Sequence, residues 1–134
     1  MLKGLFKNEK GLTLIELLAV IVILGIIAAI AVPSIGGIIE KTEKDAVYAD
    51  ATQLISAAKL YTAANNITTG DELEYSGKLS PYIESDKITS GKVTVTIEDD
   101  NKYSYSVEVT SGDYSLSCSE QDINKKNDAA CIDE

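Results

Sequence analysis

Three groups of side chains in this sequence have types and spacings with chemical consequences. Glu16 is a lone carboxylate in KGLTLIELLAVIVILGII (residues 10–27), directly before an uncharged run covering residues 17–39. An isolated carboxylate in lipid costs about 2–3 kcal/mol even on lenient scales, so it calls for a cationic partner. Cys118 and Cys131 form a pair near the C-terminus. In an exported domain two cysteines most simply form one bridge, whereas in a reducing compartment they stay free thiols. Closing a loop of that length contributes about 3 kcal/mol in the chain-entropy treatment. Glu98, Asp99, Asp100 and Asn101 crowd oxygen ligands together. They lack the spacing of a calcium-binding loop, and a solvated hairpin turn fits them better.

Catalytic chemistry finds little support. The chain has no histidine, which excludes a histidine base and histidine zinc sites. Acid pairs are expected by chance among 21 acidic residues, and no motif stands behind a serine or lysine nucleophile. The expectation is a protein that is not an enzyme and has no catalytic residue, cofactor or metal. The formal net charge is −9. The first eleven residues carry Lys3, Lys7 and Lys10 against Glu9, so the acidity lies in the rest, and direct nucleic-acid binding is not expected.

The elements that position these groups follow from periodicity. Residues 1–11 are short, basic and end in glycine, like a targeting piece. A helix over residues 17–39 would cover about 34 Å, enough to cross a hydrocarbon core of about 30 Å. Lysines before it and acids after it place the N-terminus in the cytoplasm. Gly25, Pro33 and the pair Gly36 and Gly37 interrupt the run. The ring of Pro33 crowds the Ala29 carbonyl, which predicts a bend. Beyond it Val47, Ala51, Leu54, Ala58 and Tyr61 form one helical stripe in an alanine-rich segment ending near Asn65. Residues 66–91 are a connection with short turns, which Leu79 to Ile83 pins to the core. Residues 92–118 alternate with period two, giving a meander of three or four antiparallel strands. Val93, Val95 and Ile97, then Tyr103, Tyr105, Val107 and Val109, then Tyr114, Leu116 and Cys118 mark the apolar face, with turns at 99–101 and 111–113. The tyrosines serve as strand packing here, an adhesive surface being the alternative. The apolar face needs a cover, and the helical stripe is the available one. The tail 119–134 has no periodicity and would be tethered by a Cys118–Cys131 bridge.

The segment KGLTLIELLAVIVILGIIAAIAVPS resembles the N-terminus of type IV pilins and pseudopilins: a short basic leader, then Gly11, Leu12, Thr13, Leu14, Ile15, Glu16 and a long apolar helix. The resemblance covers about residues 3–40. It departs at Leu12, where the family most often has phenylalanine. It implies an α+β fold: a long bent N-terminal helix, half transmembrane and half amphipathic, packed on a small antiparallel meander. The implied organisation is a leader 1–11, an assembly helix 12–39 and a head 40–134 (helix 40–65, connecting loop 66–91, meander 92–118, C-terminal loop 119–134). It also implies cleavage by a prepilin peptidase between Gly11 and Leu12, N-methylation of Leu12, and a register-setting ion pair between that amine and Glu16 of a neighbouring subunit. Gly25 and Pro33 correspond to the part that loosens on assembly. An assembly ATPase and a membrane platform protein would build the homo-oligomeric helical filament.

The primary expectation is a type IV pilus subunit, held in the membrane before assembly and on the cell surface after it, with twitching motility, adhesion and surface attachment as downstream uses. A pseudopilin of a secretion or DNA-uptake system is the alternative. A membrane-anchored monomeric binding module is a further one. An ordinary secretory signal cut at Ala29-Ile30-Ala31 is opposed by Glu16 and by the run staying apolar through Ile39.

Overall fold

The computed structural model describes the backbone of residues 6–133 and the side chains of residues 12–132. The leader residues 1–5 lie outside the described residues. The chain divides into two compact units, Met1–Glu40 and Lys41–Glu134. One helix, α1 (Phe6–Ala64), contributes to both.

In the first unit α1 is already helical at Phe6, so Gly11 has helical backbone. The reading of residues 1–11 as a leader without fold did not anticipate this helix. Glycine is about 1 kcal/mol worse than alanine inside a helix, so Gly11 is a cheap point at which to unwind one. Gly25 and Pro33 both lie within α1, and the helix continues through them. With no N–H on Pro33, the Ala29 carbonyl lacks its usual partner four residues on.

In the second unit the predicted stripe is buried except at its last member, Tyr61, which is half-buried against the core. Val47, Ala51, Leu54 and Ala58 are almost inaccessible, joined by Tyr48, Ile55 and Ala57. The helix ends where Asn65 donates to the Tyr61 carbonyl with both its backbone N–H and its side-chain Nδ2, each at 3.0 Å.

Five strands follow in the order β1-β2-β3-β4-β5, all neighbours antiparallel: β1 (Asp71–Glu74), β2 (Ile88–Ile97), β3 (Tyr103–Ser111), β4 (Tyr114–Ser119) and β5 (Ile132–Asp133). The inner face carries Leu73, Val93, Val95, Tyr105, Val107, Val109 and Leu116, which share one core with the α1 stripe. Tyr103, at the start of β3, stays 39% exposed instead of joining that face. Gly91 permits the tightest approach. A Cβ there would sit 2.8 Å from Leu54 Cδ1 and 3.3 Å from Tyr75 Cβ.

The connection 66–91 holds more order than its composition announced. It contains β1, paired Leu73 to Val93, and the first residues of β2. A register irregularity between Ile88 and Ser90 marks the entry of β2 into the sheet. A 3-10 turn at Ser80–Tyr82 follows Leu79, which is fully buried, while Ile83 packs half-buried against the core. Tyr75 Oη donates to the Ser85 carbonyl at 2.6 Å, closing the loop on itself. The C-terminal loop also folds, into helices α2 (Glu120–Lys125) and α3 (Asp128–Cys131) and the edge strand β5. Ser119 caps α2 by accepting from the Asp122 N–H, and Lys126 ends it with a left-handed φ of 48°.

Candidate functional site

The stem 12–39 is an apolar helix with nothing covering it. Seventeen of its large hydrophobic residues are more than half exposed, from Leu12 and Leu14 through Ile38 and Ile39. Fully burying one such side chain is worth at least about 1.5 kcal/mol, so leaving all of them in water would forfeit more than 20 kcal/mol. That exceeds the 5–15 kcal/mol that holds a typical domain folded. A covering medium is therefore required, either lipid or other apolar helices. α1 is long and apolar enough to cross a membrane.

Glu16 is exposed on this stem, one helical turn from Leu12. Among the described residues no ion pair involves it. The Leu12 nitrogen is an amide inside α1 in the uncut chain, so an amine can exist there only after the chain is cut before it. The structure thus brings Leu12 and Glu16 within one turn and, among the described residues, gives Glu16 no ion-pair partner.

The second predicted pair does meet. Cys118 at the end of β4 and Cys131 at the end of α3 are disulfide-bonded, with Cα atoms 4.9 Å apart. Cys131 is buried. Sequence reasoning missed the polar contacts that hold the same segment to α1. Tyr48 Oη donates to Asp128 Oδ1 at 2.8 Å. Lys126 Nζ donates to Asp45 Oδ1 at 2.7 Å, and Lys59 pairs with Glu120 while sitting 5.5 Å over the Tyr105 ring. The partners of the Tyr48 bond are 80 residues apart, a separation no local pattern encodes. The Ser119-x-x-Asp122 spacing is the one local signal in this segment, and sequence reasoning missed it as well.

Electrostatics follow from these contacts. Burial, reinforced by the Asp128 carboxylate, pushes the Tyr48 phenol up to about 12. The hydrogen bond from Lys126 draws Asp45 below its ordinary value. On the outer sheet face Lys92 is raised by its hydrogen bond to Glu72 and by the nearby Glu108. Among the described residues of the head one carboxylate is buried: Asp50 accepts from Ser111 Oγ at 2.6 Å.

Residues 98–101 form the expected hairpin turn. Asn101 adopts φ 59°, and the Glu98 and Asn101 N–H groups donate to Lys102 and Glu98 carbonyls. Among the described residues no cluster of three or more potential metal ligands occurs.

Comparison with known proteins bears on the stem. Residues 6–32 match the prokaryotic N-terminal methylation motif. The chain is similar to type II secretion system core protein G of Pectobacterium carotovorum, 40% identical over 59 residues, covering 44% of this chain and 38% of that protein. Core protein G of Escherichia coli K12 is 37% identical over 69 residues, covering 50% and 48%. That of Vibrio cholerae is 36% identical over 70 residues, covering 51% and 48%. The chain thus spans less than half the length of these curated relatives. No solved structure matches it.

Proposed function

We propose that the chain is a filament subunit of the pseudopilin kind, working in a type II secretion-like assembly. The N-terminal methylation motif is the observation that carries this reading, and the relatives favour a secretion pseudopilin over the surface pilus subunit expected from the sequence. A prepilin peptidase would cut between Gly11 and Leu12 and methylate the new amine. The stem, held in the membrane until then, would pass into the core of a helical polymer driven by a cytoplasmic ATPase through a membrane platform. On this reading the filament stays within the cell envelope.

Glu16 would pair there with the Leu12 amine of a neighbour. Apolar side chains supply packing but not register, because leucine and isoleucine fit many offsets. Charge can choose. Two unit charges 4 Å apart attract by about 4 kcal/mol at an effective dielectric of 20. A slip of one helical turn, 5.4 Å, stretches them to about 7 Å and leaves about 2.5 kcal/mol. The difference favours the paired register by roughly 10- to 20-fold per contact.

The surface-pilus reading keeps one supporting feature, the bridged C-terminal loop of the head. A strain carrying Glu16→Ala separates the readings. The pseudopilin reading expects normal leader removal by mass, no change in sheared surface fibres, and loss of secreted proteins from the medium. Loss of fibres with secretion intact would favour the pilus. Filaments of normal yield and symmetry would refute the register role of Glu16.

A further inference from the structure

We propose that Asn66 is an acceptor for an N-linked glycan. Asn66, Ile67 and Thr68 form an Asn-x-Thr triplet, and none of the other five asparagines (Asn8, Asn65, Asn101, Asn124, Asn127) is followed two places on by serine or threonine. The triplet lies in irregular backbone between the end of α1 and β1. Its exposure alternates: Asn66 and Thr68 are exposed, while Ile67 between them is half-buried and packs against the head core. Ile67 therefore anchors the loop and turns the carboxamide and the hydroxyl outward together.

Both groups are chemically available. Among the described residues, neither the Asn66 side chain nor the Thr68 hydroxyl has a hydrogen-bond partner, although adjacent groups do. Thr68 contributes its backbone N–H to Asp71 Oδ2 and its carbonyl to the Asp71 N–H, which fixes the loop without using the hydroxyl. By contrast Asn65 spends its Nδ2 on the Tyr61 carbonyl, and Thr69 spends its hydroxyl on β2. The co-substrate is an oligosaccharide linked through pyrophosphate to a lipid. The Asn66 Nδ2 bonds to the anomeric carbon, the bond from that carbon to the phosphate oxygen breaks, and its electron pair leaves on the phosphate. The displaced amide proton passes to a base of the transferase.

The inference rests on the proposal that the head is exported, because the lipid-linked donor is used outside the cytoplasm. Protein purified from its native host under non-reducing conditions and digested with trypsin tests both ideas at once. Peptide 60–78 carries Asn66, and the bridged peptides carry Cys118 and Cys131. The expected result is a peptide 60–78 heavier by whole sugar units, fragmenting to a sugar on Asn66. That increment should vanish in Asn66→Gln and Thr68→Val and survive in Thr68→Ser. Unmodified peptide 60–78 with bridged cysteines would overturn the glycan and leave export standing. Unmodified peptide with free thiols would overturn both.

Discussion

Reducing the Cys118–Cys131 bridge should unfold the head at a markedly lower temperature without unfolding the stem. The bridge closes a loop of 14 residues, 118 to 131. In the chain-entropy treatment this withholds about 10 cal/mol/K from the unfolded chain, about 3 kcal/mol at 25 °C. The head spans 94 residues, from Lys41 to Glu134. At roughly 2.1 cal/mol/K per residue its unfolding entropy is about 0.2 kcal/mol/K, so Tm should fall by about 15 °C. The other ties of this segment, the Tyr48–Asp128 hydrogen bond included, are already made in the bridged protein and gain nothing on reduction, so they cannot make up that loss. Helices of six and four residues (α2 and α3) do not persist alone. The Lys59–Glu120 and Lys126–Asp45 pairs are solvent-exposed, and exposed ion pairs add little to stability. The assay is thermal unfolding of the detergent-solubilised chain, followed by near-ultraviolet circular dichroism of its tyrosines, with and without reductant. Hydrogen exchange then locates the change. The Lys126 and Asn127 amides, bonded to the Ile123 and Asp122 carbonyls, should exchange at least tenfold faster on reduction. A Tm drop below about 4 °C, with those amides still protected, would refute the claim that the bridge anchors the C-terminal segment.

Two further perturbations probe the core. The Tyr48 phenol titrates near 12 against 10.0 when free. A raised folded-state value stabilises fully below pH 10 and is lost as pH climbs through 12, a window worth about 3 kcal/mol. Lys92, also raised, loses its contribution over the same alkaline range, so the comparison must be with Tyr48→Phe. That variant should show a flatter loss of stability between pH 10 and 12 and lack the latest tyrosinate absorbance step; an unchanged titration would remove Tyr48 from the account. At Gly91, the contact with fully buried Leu54 means that Gly91→Ala should cost about 1–3 kcal/mol by overpacking, measured by denaturant unfolding. Combining it with Leu54→Val should recover at least 0.5 kcal/mol relative to additivity. Additive costs would mean that the steric contact is not the cause.

Much of the head was legible because its apolar residues repeat. The α1 stripe steps by three and four, and the inner faces of β2, β3 and β4 step by two, so each element announced its buried side. β1 did not, because Asp71, Glu72, Leu73 and Glu74 offer one apolar residue among three acids. It is a strand because Leu73 fits beside Val93 under α1, and that is a tertiary fact. The C-terminal segment was hidden for a related reason. Its buried residues, Ile123 and Cys131, are too few to show a period, and Tyr48, Asp45 and Lys59 hold it from far along the chain. In the stem the sequence revealed the helix and its lone acid, and among the described residues no ion pair involves that acid.

The two units close their apolar surfaces by opposite means. The head pairs the α1 stripe with a sheet face, and among its described residues every buried side-chain polar atom has a hydrogen-bond partner. The stem has apolar residues on all sides instead of one stripe, so no single neighbour within its own chain could cover it. A helix of that kind is stable only where its surroundings are apolar throughout, and a lipid bilayer and a bundle of identical helices both meet that condition. Moving between them changes little in hydrophobic burial, so the choice falls to the polar group that distinguishes them. In lipid alone Glu16 would face no cation; if the chain is cut as proposed, a bundle of such chains would offer one terminal amine for every subunit.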